Sequence, residues 1–362
     1  MRKHLLLFGI VFLFFSCKKE KLLVPAIDMT YSVNFADTVF GQPVISNAIG
    51  TTNLYCIDSL LFLESTDPNG QLKAYSMNDY NIIANLCCKG RARNEFINPT
   101  SSCKQFFRRE GHIFLLMYDN YSNIKMIDIT ESIKKKTTVV ENVESAIVNS
   151  RKGFSIYVSS QEKWFNYYKI SYIDPRDGYN PARFTISNNE KEKEIPIYGD
   201  AMELSEGNEG LKNFVYEGSM RIKPDQSKIV FTTFYMPYMF IFDVKNGGVT
   251  VFHEKDKLSY CNPYPEIEDW TAIEYFYGDI TVTDDYIICS CPYGTQGDYI
   301  DPARRPCIRI FNWEGEYLSN FFVDRRIFSI TYDEEKKILY GLDTSEGQET
   351  IYKYDINQYV TQ

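Results

Sequence analysis

From Leu60 onward the chain alternates short apolar runs with short polar interruptions. The clearest copy of the pattern is Ile330 to Ile356, ITYDEEKKILYGLDTSEGQETIYKYDI. Two β-rich runs flank the polar turn Asp333 to Lys337. A second polar stretch follows, and Ile351 to Ile356 then alternates apolar and polar. That order, strand–turn–strand–loop–strand, predicts an antiparallel meander. Runs matching Ile338-Leu339-Tyr340 recur at Leu60 to Glu64, Ile113 to Tyr118, Ser155 to Ser159, Ile229 to Phe234 and Ile287 to Cys291. Runs matching Ile351 to Ile356 recur at Leu72 to Met77, Ile124 to Ile129, Tyr167 to Ile173, Met239 to Val244 and Cys307 to Asn312. Several of these end in an apolar–Asp or apolar–Asn step before a turn. A fourth run follows in most copies, as at Ile82 to Cys87, Thr137 to Val140, Val249 to His253 and Tyr317 to Val323.

About six units of four strands predict an all-β fold, a six-bladed β-propeller of four-stranded antiparallel blades, occupying 25–362 as one domain. The irregular spacing excludes a WD-type repeat. The last copy lacks a fourth strand, whereas Met29 to Val39 alternates well before the first unit. This N-terminal run is predicted to join the last blade and close the ring, burying strand edges that would otherwise be unpaired. Connections between first and second strands are short throughout. The long ones, Gln161 to Asn166 and Pro292 to Pro306 within blades, and Lys89 to Phe106, Gly199 to Asn213 and Lys255 to Glu274 between blades, fall on one face. Long loops over a rigid scaffold are where binding usually sits.

The first residues predict a targeting segment. Arg2, Lys3 and His4 precede an apolar run from Leu5 to Phe15, too short to span a bilayer. Ser16-Cys17 at its end resembles a bacterial lipobox, although Phe14-Phe15 depart from the usual pattern. The resemblance implies a lipoprotein signal peptide over 1–16, Cys17 as the lipidated residue, and a tether over 17–24.

Composition narrows the function classes. The chain has 48 acidic against 39 basic residues and a net charge of −9. An acidic surface argues against nucleic acid, which needs clustered Lys and Arg. Lys134-Lys135-Lys136 reads as a solvated turn. Of nine Cys, those after Cys17 read as buried free thiols, with Cys291 and Cys307 possible neighbours across a hairpin. Cys87 and Cys88 point to opposite faces of a strand. No CxxC pair suggests zinc, and no nucleophile elbow, P-loop or HExxH is present.

Gly90 to Pro99, GRARNEFINP, is similar to the blade connection of NHL-type and TolB-like six-bladed propellers. Gly90, Glu95, Phe96 and Pro99 match, while Ala92 stands where a second Gly is usual and Arg93 where Gly or Pro is common. Together with the lipobox, this resembles the TolB-like propeller lipoproteins of Bacteroidetes-type bacteria. The resemblance implies a propeller and a cell-envelope address, at the outer membrane, and no particular activity. Gly90 and Phe96 read as a tight turn and a core anchor. Arg91, Arg93 and Glu95 stay open between a functional role and a simple pairing of Glu95 with either Arg.

Two loops could carry recognition. Tyr260 to Tyr277 is the densest aromatic–acidic segment, and its Tyr264, Glu266, Glu268, Asp269 and Trp270 could stack a sugar ring, cage a cation or meet a protein. Tyr293 to Arg305 offers Asp298, Tyr299, Asp301 and Arg304; its carboxylates could serve acid–base work or bind a cation, or simply salt-bridge the loop. His253, at a strand end, reads as structural. The expectation is a lipid-anchored envelope protein that binds a protein, small molecule or glycan through the long-loop face, with no cofactor. The alternative is a metal-dependent hydrolase or lactonase with a channel metal, calcium being possible only there.

Overall fold

A computed structural model describes residues 22–31, 37–101, 103–119, 123–142, 152–168, 171–174, 178–180, 183–187, 191–197, 217–255, 269–292, 294–301, 304–345 and 349–360. The chain forms a six-bladed β-propeller. Blade one comprises Thr51–Ile57, Leu60–Ser65, Leu72–Ser76 and Ile82–Leu86. Blade two has a split first strand, Pro99–Thr100 and Phe106–Arg109, then His112–Asp119, Asn123–Asp128 and Val140–Asn142. Blade three is Lys152–Val158, Lys163–Tyr168, Arg183–Ser187 and Glu192–Ile195. Blade four is Gly218–Ile222, Lys228–Thr233, Tyr238–Asp243 and Val249–Glu254. Blade five is Ile280–Val282, Tyr286–Cys291, Cys307–Asn312 and Tyr317–Val323. Blade six is Ile327–Asp333, Ile338–Asp343 and Thr350–Asp355, completed by Gln42–Ile45.

The blades pack face to face, so their inner and middle strands are buried on both sides. In blade one, Phe62 and Leu72 face blade two with Leu115 and Ile127. Leu61 and Leu63 face blade six with Tyr340 and Leu342. This two-sided burial is why the second strands read as continuous apolar runs rather than alternating ones. Each fully buried Leu or Phe contributes about 1.5–3 kcal/mol. Such clusters join every adjacent pair of blades, and the smallest described one lies between two and three, around Phe107, Phe114, Leu116 and Met126.

The apolar–Asp steps act locally. Asp243 Oδ1 accepts from the Lys245 and Asn246 amides at 2.9 Å each. Asp128 caps a short helix, Ile129–Lys135, its Oδ1 accepting from Glu131 N at 2.9 Å. The side chains satisfy amides that the strand ladder cannot reach. Lys134 and Lys135, expected in a turn, lie in the last turn of this helix and pair with Glu131.

Ring closure by an N-terminal strand holds, but the strand is Gln42–Ile45 rather than Met29 to Val39. It pairs antiparallel with Thr350–Asp355. The described segments upstream of it instead lie along the outer edges of the ring. Leu23 N donates to Ile197 O beyond blade three at 2.8 Å. Ala26–Met29 adds a parallel fifth strand to blade four, and Thr38–Val39 does the same to blade five. His253 of blade four anchors this belt, its Nδ1 lying 3.2 Å from Asp28 Oδ1. Tyr31 stacks on Tyr317 and lies under the Arg309 guanidinium, which pairs with Glu254 at 2.7 Å. The belt covers outer edges that would otherwise be open.

Blade three also departs from expectation. Ser155 to Ser159 lies in its first strand and at the turn after it, not in its second strand. Lys163–Tyr168, expected in part as a long loop, is the second strand, and its Phe165 and Tyr167 are buried in the core shared with blade four. A hairpin, Ser171–Asp174 with Gly178–Asn180, is inserted before the third strand, so Tyr167 to Ile173 is not one strand. Residues 199–213 lie outside the described residues.

A Cβ at Gly41 would lie 2.7 Å from the ring of Tyr354, which is fully buried. Gly41→Ala is expected to destabilise the closing strand by about 1–3 kcal/mol, as overpacking of a rigid neighbour does. Chemical denaturation of wild type and variant measures the difference.

Candidate functional site

At the centre of the ring the first strands of neighbouring blades meet. Those of blades six and one touch, as do those of five and six and of four and five. Hydroxyls at period two stitch one seam: Ser329 Oγ accepts from Leu54 N at 3.2 Å and Thr331 Oγ1 from Cys56 N at 3.0 Å. These bonds satisfy inner-edge amides that have no ladder partner.

Blade two breaks this regularity. Its first strand stops at Thr100 and resumes at Phe106, and Lys104 sits in the gap with φ +46°. The backbone detour sends the Lys104 side chain across the axis. Its ammonium has three acceptors: Asp279, Ser329 Oγ at 2.9 Å and Ile330 O at 3.0 Å. Arg221, in the inner strand of blade four, gives Nη2 to Asp279 Oδ1 at 2.6 Å and Nη1 to Met220 O at 2.8 Å. Asp279, just before the inner strand of blade five, also accepts from Ile330 N at 2.8 Å. Ser329 Oγ continues the network to Asn53 Oδ1 of blade one at 2.7 Å. Five blades are thereby tied at the axis.

The electrostatics follow from burial and pairing. Burial alone pushes the Asp279 carboxyl up, but Lys104 and Arg221 outweigh it and hold the group below the usual Asp value. Burial is the largest influence on Lys104 and brings its ammonium down to about 8, against the pull of Asp279. Glu64 lies behind this centre, its Oε2 accepting from Ser101 N at 3.2 Å and from Tyr55 Oη at 3.4 Å. Burial raises its carboxyl.

On the short-turn face this centre floors a cavity of about 750 Å³. Lys104 and Arg221 line its inner end. Tyr55, Ile57, Phe106, Val282 and Tyr332 form walls, and Asp58, Arg108, Glu334 and Glu335 stand among the turns at the mouth. Asp58 and Arg108 pair at 2.5 Å. Cys56 also lines the cavity, but burial pushes its thiol up to about 12. The buried Tyr332 hydroxyl makes no hydrogen bond among the described residues. Asp333 closes its own turn, accepting from the Glu335 and Lys336 amides at 3.1 Å each.

The sequence-predicted residues fall elsewhere. Tyr264, Glu266 and Glu268 lie outside the described residues, as does Cys17. Asp269 is exposed and starts a turn, its Oδ1 accepting from Thr271 N and Oγ1 at 2.9 and 2.7 Å. Trp270 begins a single 3-10 turn, Trp270–Ala272. Asp298 forms a capping box with Thr295 on the helix Gln296–Ile300, which carries Tyr299, and pairs with Arg304 at 3.1 Å. That is the salt-bridged alternative for this loop. Asp301 caps the other end of the same helix.

In the Gly90 to Pro99 stretch, Glu95 Oε2 accepts from Ala92 N at 2.9 Å and packs directly over Gly90, leaving no room for a Cβ. Glu95 thus accepts from this backbone amide, while Arg91 and Arg93 are exposed. Phe96 is fully buried beneath the Lys125 ammonium at 4.4 Å, and Pro99 begins the split strand. The motif is a turn and a core anchor. Cys291 and Cys307 face each other in register, and both thiols are free. Cys87 and Cys88 lie beyond the end of their strand, one buried and one exposed. Among the described residues no three His, Cys, Asp or Glu side chains converge on one point.

Lys104, Arg221 and Asp279 were not singled out from the sequence. One signal was available: Arg221 is a lone charge inside the apolar pattern Met220-Arg221-Ile222.

No protein-family profile matches the chain, and no curated protein matches it. Among solved structures it is similar to a member of the DUF4221 family from Bacteroides vulgatus, with a TM-score of 0.51 and 11% identity over 93% of this chain and 98% of that one. It is also similar to a luciferin-regenerating enzyme, with a TM-score of 0.46 and 10% identity over 86% of this chain and 95% of that one. At 11% identity the first likeness is one of fold.

Asp279→Asn removes the carboxylate that the buried Lys104 and Arg221 share. The expected loss of stability is about 3–5 kcal/mol near neutral pH, as for other broken buried pairs. The pH dependence has a definite sign. Asp279 has a depressed folded-state pKa, so its contribution is present above the ordinary Asp value and is lost as pH falls through the folded value. Urea unfolding of wild type and variant should therefore converge as pH is lowered below that of an ordinary Asp.

Proposed function

We propose that this chain is a recognition propeller of the cell envelope that holds a small ligand in the channel-mouth cavity and performs no chemistry on it. One observation carries the reading: the reactive groups around the cavity are already committed. Lys104 spends its three N–H donors on three acceptors. The Cys56 thiol stays protonated at neutral pH because burial raises it. Asp333 closes a turn and Asp58 pairs with Arg108. A poised nucleophile or base would need a suitable pKa and a free approach to substrate. A hydrolase working through a channel metal is not favoured, because the axis presents two cations where that metal would need a ring of anions.

The envelope address belongs to the same proposal. Lipidation at Cys17 would place the propeller at the membrane through the short stretch before Leu22. Cys17→Ala is expected to move the protein from the membrane to the soluble fraction after cell lysis, as immunoblotting of the two fractions would show. Continued membrane association would remove the anchor.

The seat of recognition is tested with a fragment library followed by ligand-observed NMR. Val282→Trp fills the cavity and Trp270→Ala trims the long-loop face. Fragments that bind wild type should be lost in Val282→Trp and retained in Trp270→Ala. The reverse result would move the site to the long loops.

A further inference from the structure

In blade five the connection 292–306 between the second and third strands starts and ends on a cysteine. Cys291 is the last residue of Tyr286–Cys291 and Cys307 the first of Cys307–Asn312, and the two are direct partners in the ladder. Backbone hydrogen bonds fix the kind of pair they make. Ser290 gives its N–H to Asp279 O at 2.9 Å and accepts from Gly278 N at 2.6 Å, so its backbone turns toward the first strand. By alternation the backbone of Cys291 turns toward the third. Pro306 O accepts from Val323 N at 3.3 Å, which turns Cys307 back toward Cys291. In such a hydrogen-bonded pair the Cα atoms stand about 5.5 Å apart, and both side chains leave the sheet on one face.

A disulfide spans Cα separations of about 4.4–6.8 Å and Cβ separations of about 3.5–4.5 Å. Register alone meets the Cα condition. The Cβ atoms of a hydrogen-bonded pair stand up to about 5.5 Å apart, so they must approach by about 1 Å. Two strand ends can supply that movement, since the ladder does not continue beyond this pair. The pairing is also selective. Cys289 lies on the same face, but its ladder partner is Arg309, and the diagonal from Cys289 to Cys307 is about 7–8 Å. Cys56, Cys87, Cys88 and Cys103 belong to blades one and two.

We infer that Cys291 and Cys307 form a disulfide when the chain folds in an oxidising medium, and that this bond holds the base of the 292–306 connection. The envelope address proposed above, on which the bond's presence in cells rests, would supply that medium. The step is thiol–disulfide exchange with a dithiol oxidase. The thiolate of one cysteine attacks the oxidase disulfide and expels one of its sulfurs as a thiolate. The second cysteine then attacks the mixed disulfide and expels the other. The chain gives up two electrons and two protons, and the oxidase leaves as its dithiol. In the folded ring both residues are fully buried in the core shared by blades four and five. Burial pushes both thiols up against the pull of Arg309, which makes them poor nucleophiles there. The exchange therefore belongs to folding, before blade five packs on blade four. Only the 292–306 connection separates the two cysteines, so they meet through a short loop. That connection is itself docked. Gln296 N gives to Ile273 O at 2.7 Å and Tyr275 N to Gly294 O at 2.8 Å. A bond at its base keeps the helix Gln296–Ile300 and the 273–275 strip together on the long-loop face.

The test uses the full chain. Wild-type protein is unfolded, reduced and refolded in a buffer of reduced and oxidised glutathione. Its thiols are blocked with one maleimide in denaturant, its disulfides are reduced, and the released thiols are marked with a second maleimide of different mass. Peptide mapping by mass spectrometry then reads each site. Cys291 and Cys307 should carry the second label and Cys289 the first. The first label on both Cys291 and Cys307 would overturn the inference, as would a bond from Cys291 to another cysteine in Cys307→Ser. The same mapping on protein blocked directly in lysing cells tests the address. A bond found there supports pairing and address together. A bond formed on refolding and missing from cells would support the pairing and overturn the oxidising envelope. Hydrogen exchange reads the connection: residues 294–301 should exchange about tenfold faster in the reduced protein than in the oxidised one. Equal rates would overturn the claim that the bond holds the connection. If the reduced protein does not fold, the mapping alone decides.

Discussion

One carboxylate holds the centre of this ring. The blades meet through apolar faces, and apolar contact is non-directional. Such faces set the spacing of neighbouring sheets but do little to fix how one slides on the next. Asp279 supplies direction. It accepts from Lys104 of blade two, Arg221 of blade four and the Ile330 amide of blade six, and Ser329 extends the network to blade one. Charges this deeply buried persist because each is answered by a hydrogen bond or an opposite charge. The broken first strand of blade two then has a purpose: a continuous strand would point alternate residues at the neighbouring blades, whereas the gap sends one long side chain across the axis.

The architecture was legible in the sequence because it rests on short-range pattern. The Ile330 to Ile356 meander and its copies gave six blades, and apolar–Asp steps marked turns such as the one that the Asp243 side chain closes. The pattern failed where two structures share one signature. Lys163–Tyr168 is aromatic and polar by turns and resembles a loop until Phe165 and Tyr167 are seen in the core. Met29 to Val39 alternates like a closing strand, but alternation cannot tell a strand that completes a blade from one laid against the outside of another. The channel site was illegible for a different reason. Lys104, Arg221 and Asp279 lie far apart in the chain and converge only when the ring closes. The loops that sequence pattern favoured, around Trp270 and Asp298, stand out for composition, and composition reports residue type without reporting what surrounds it.

Two residues of the hub, Lys104 and Arg221, line the inner end of the cavity. A guest that interacts with Lys104 and Arg221 therefore acts on the groups that fix the blades. Any ligand that binds the folded ring and not the unfolded chain stabilises it in proportion to its concentration over its dissociation constant. A ligand seated in the cavity would apply that linkage at the axis rather than at a peripheral loop.

The outer belt carries a consequence for the order of assembly. Ala26 pairs with Val251, Thr38 with Phe322 and Ile45 with Ile351. Among the described residues, each of these strands thus pairs with one that lies far later in the sequence. Contacts so distant in sequence incur the entropy of closing very long loops, and folds that depend on them form slowly. During synthesis the segment from Ala26 to Ile45 must wait without a sheet while blades one to three emerge. Its seating on blades four, five and six waits for those blades to form, so a chain truncated within blade six would keep most of its core and lose its seal.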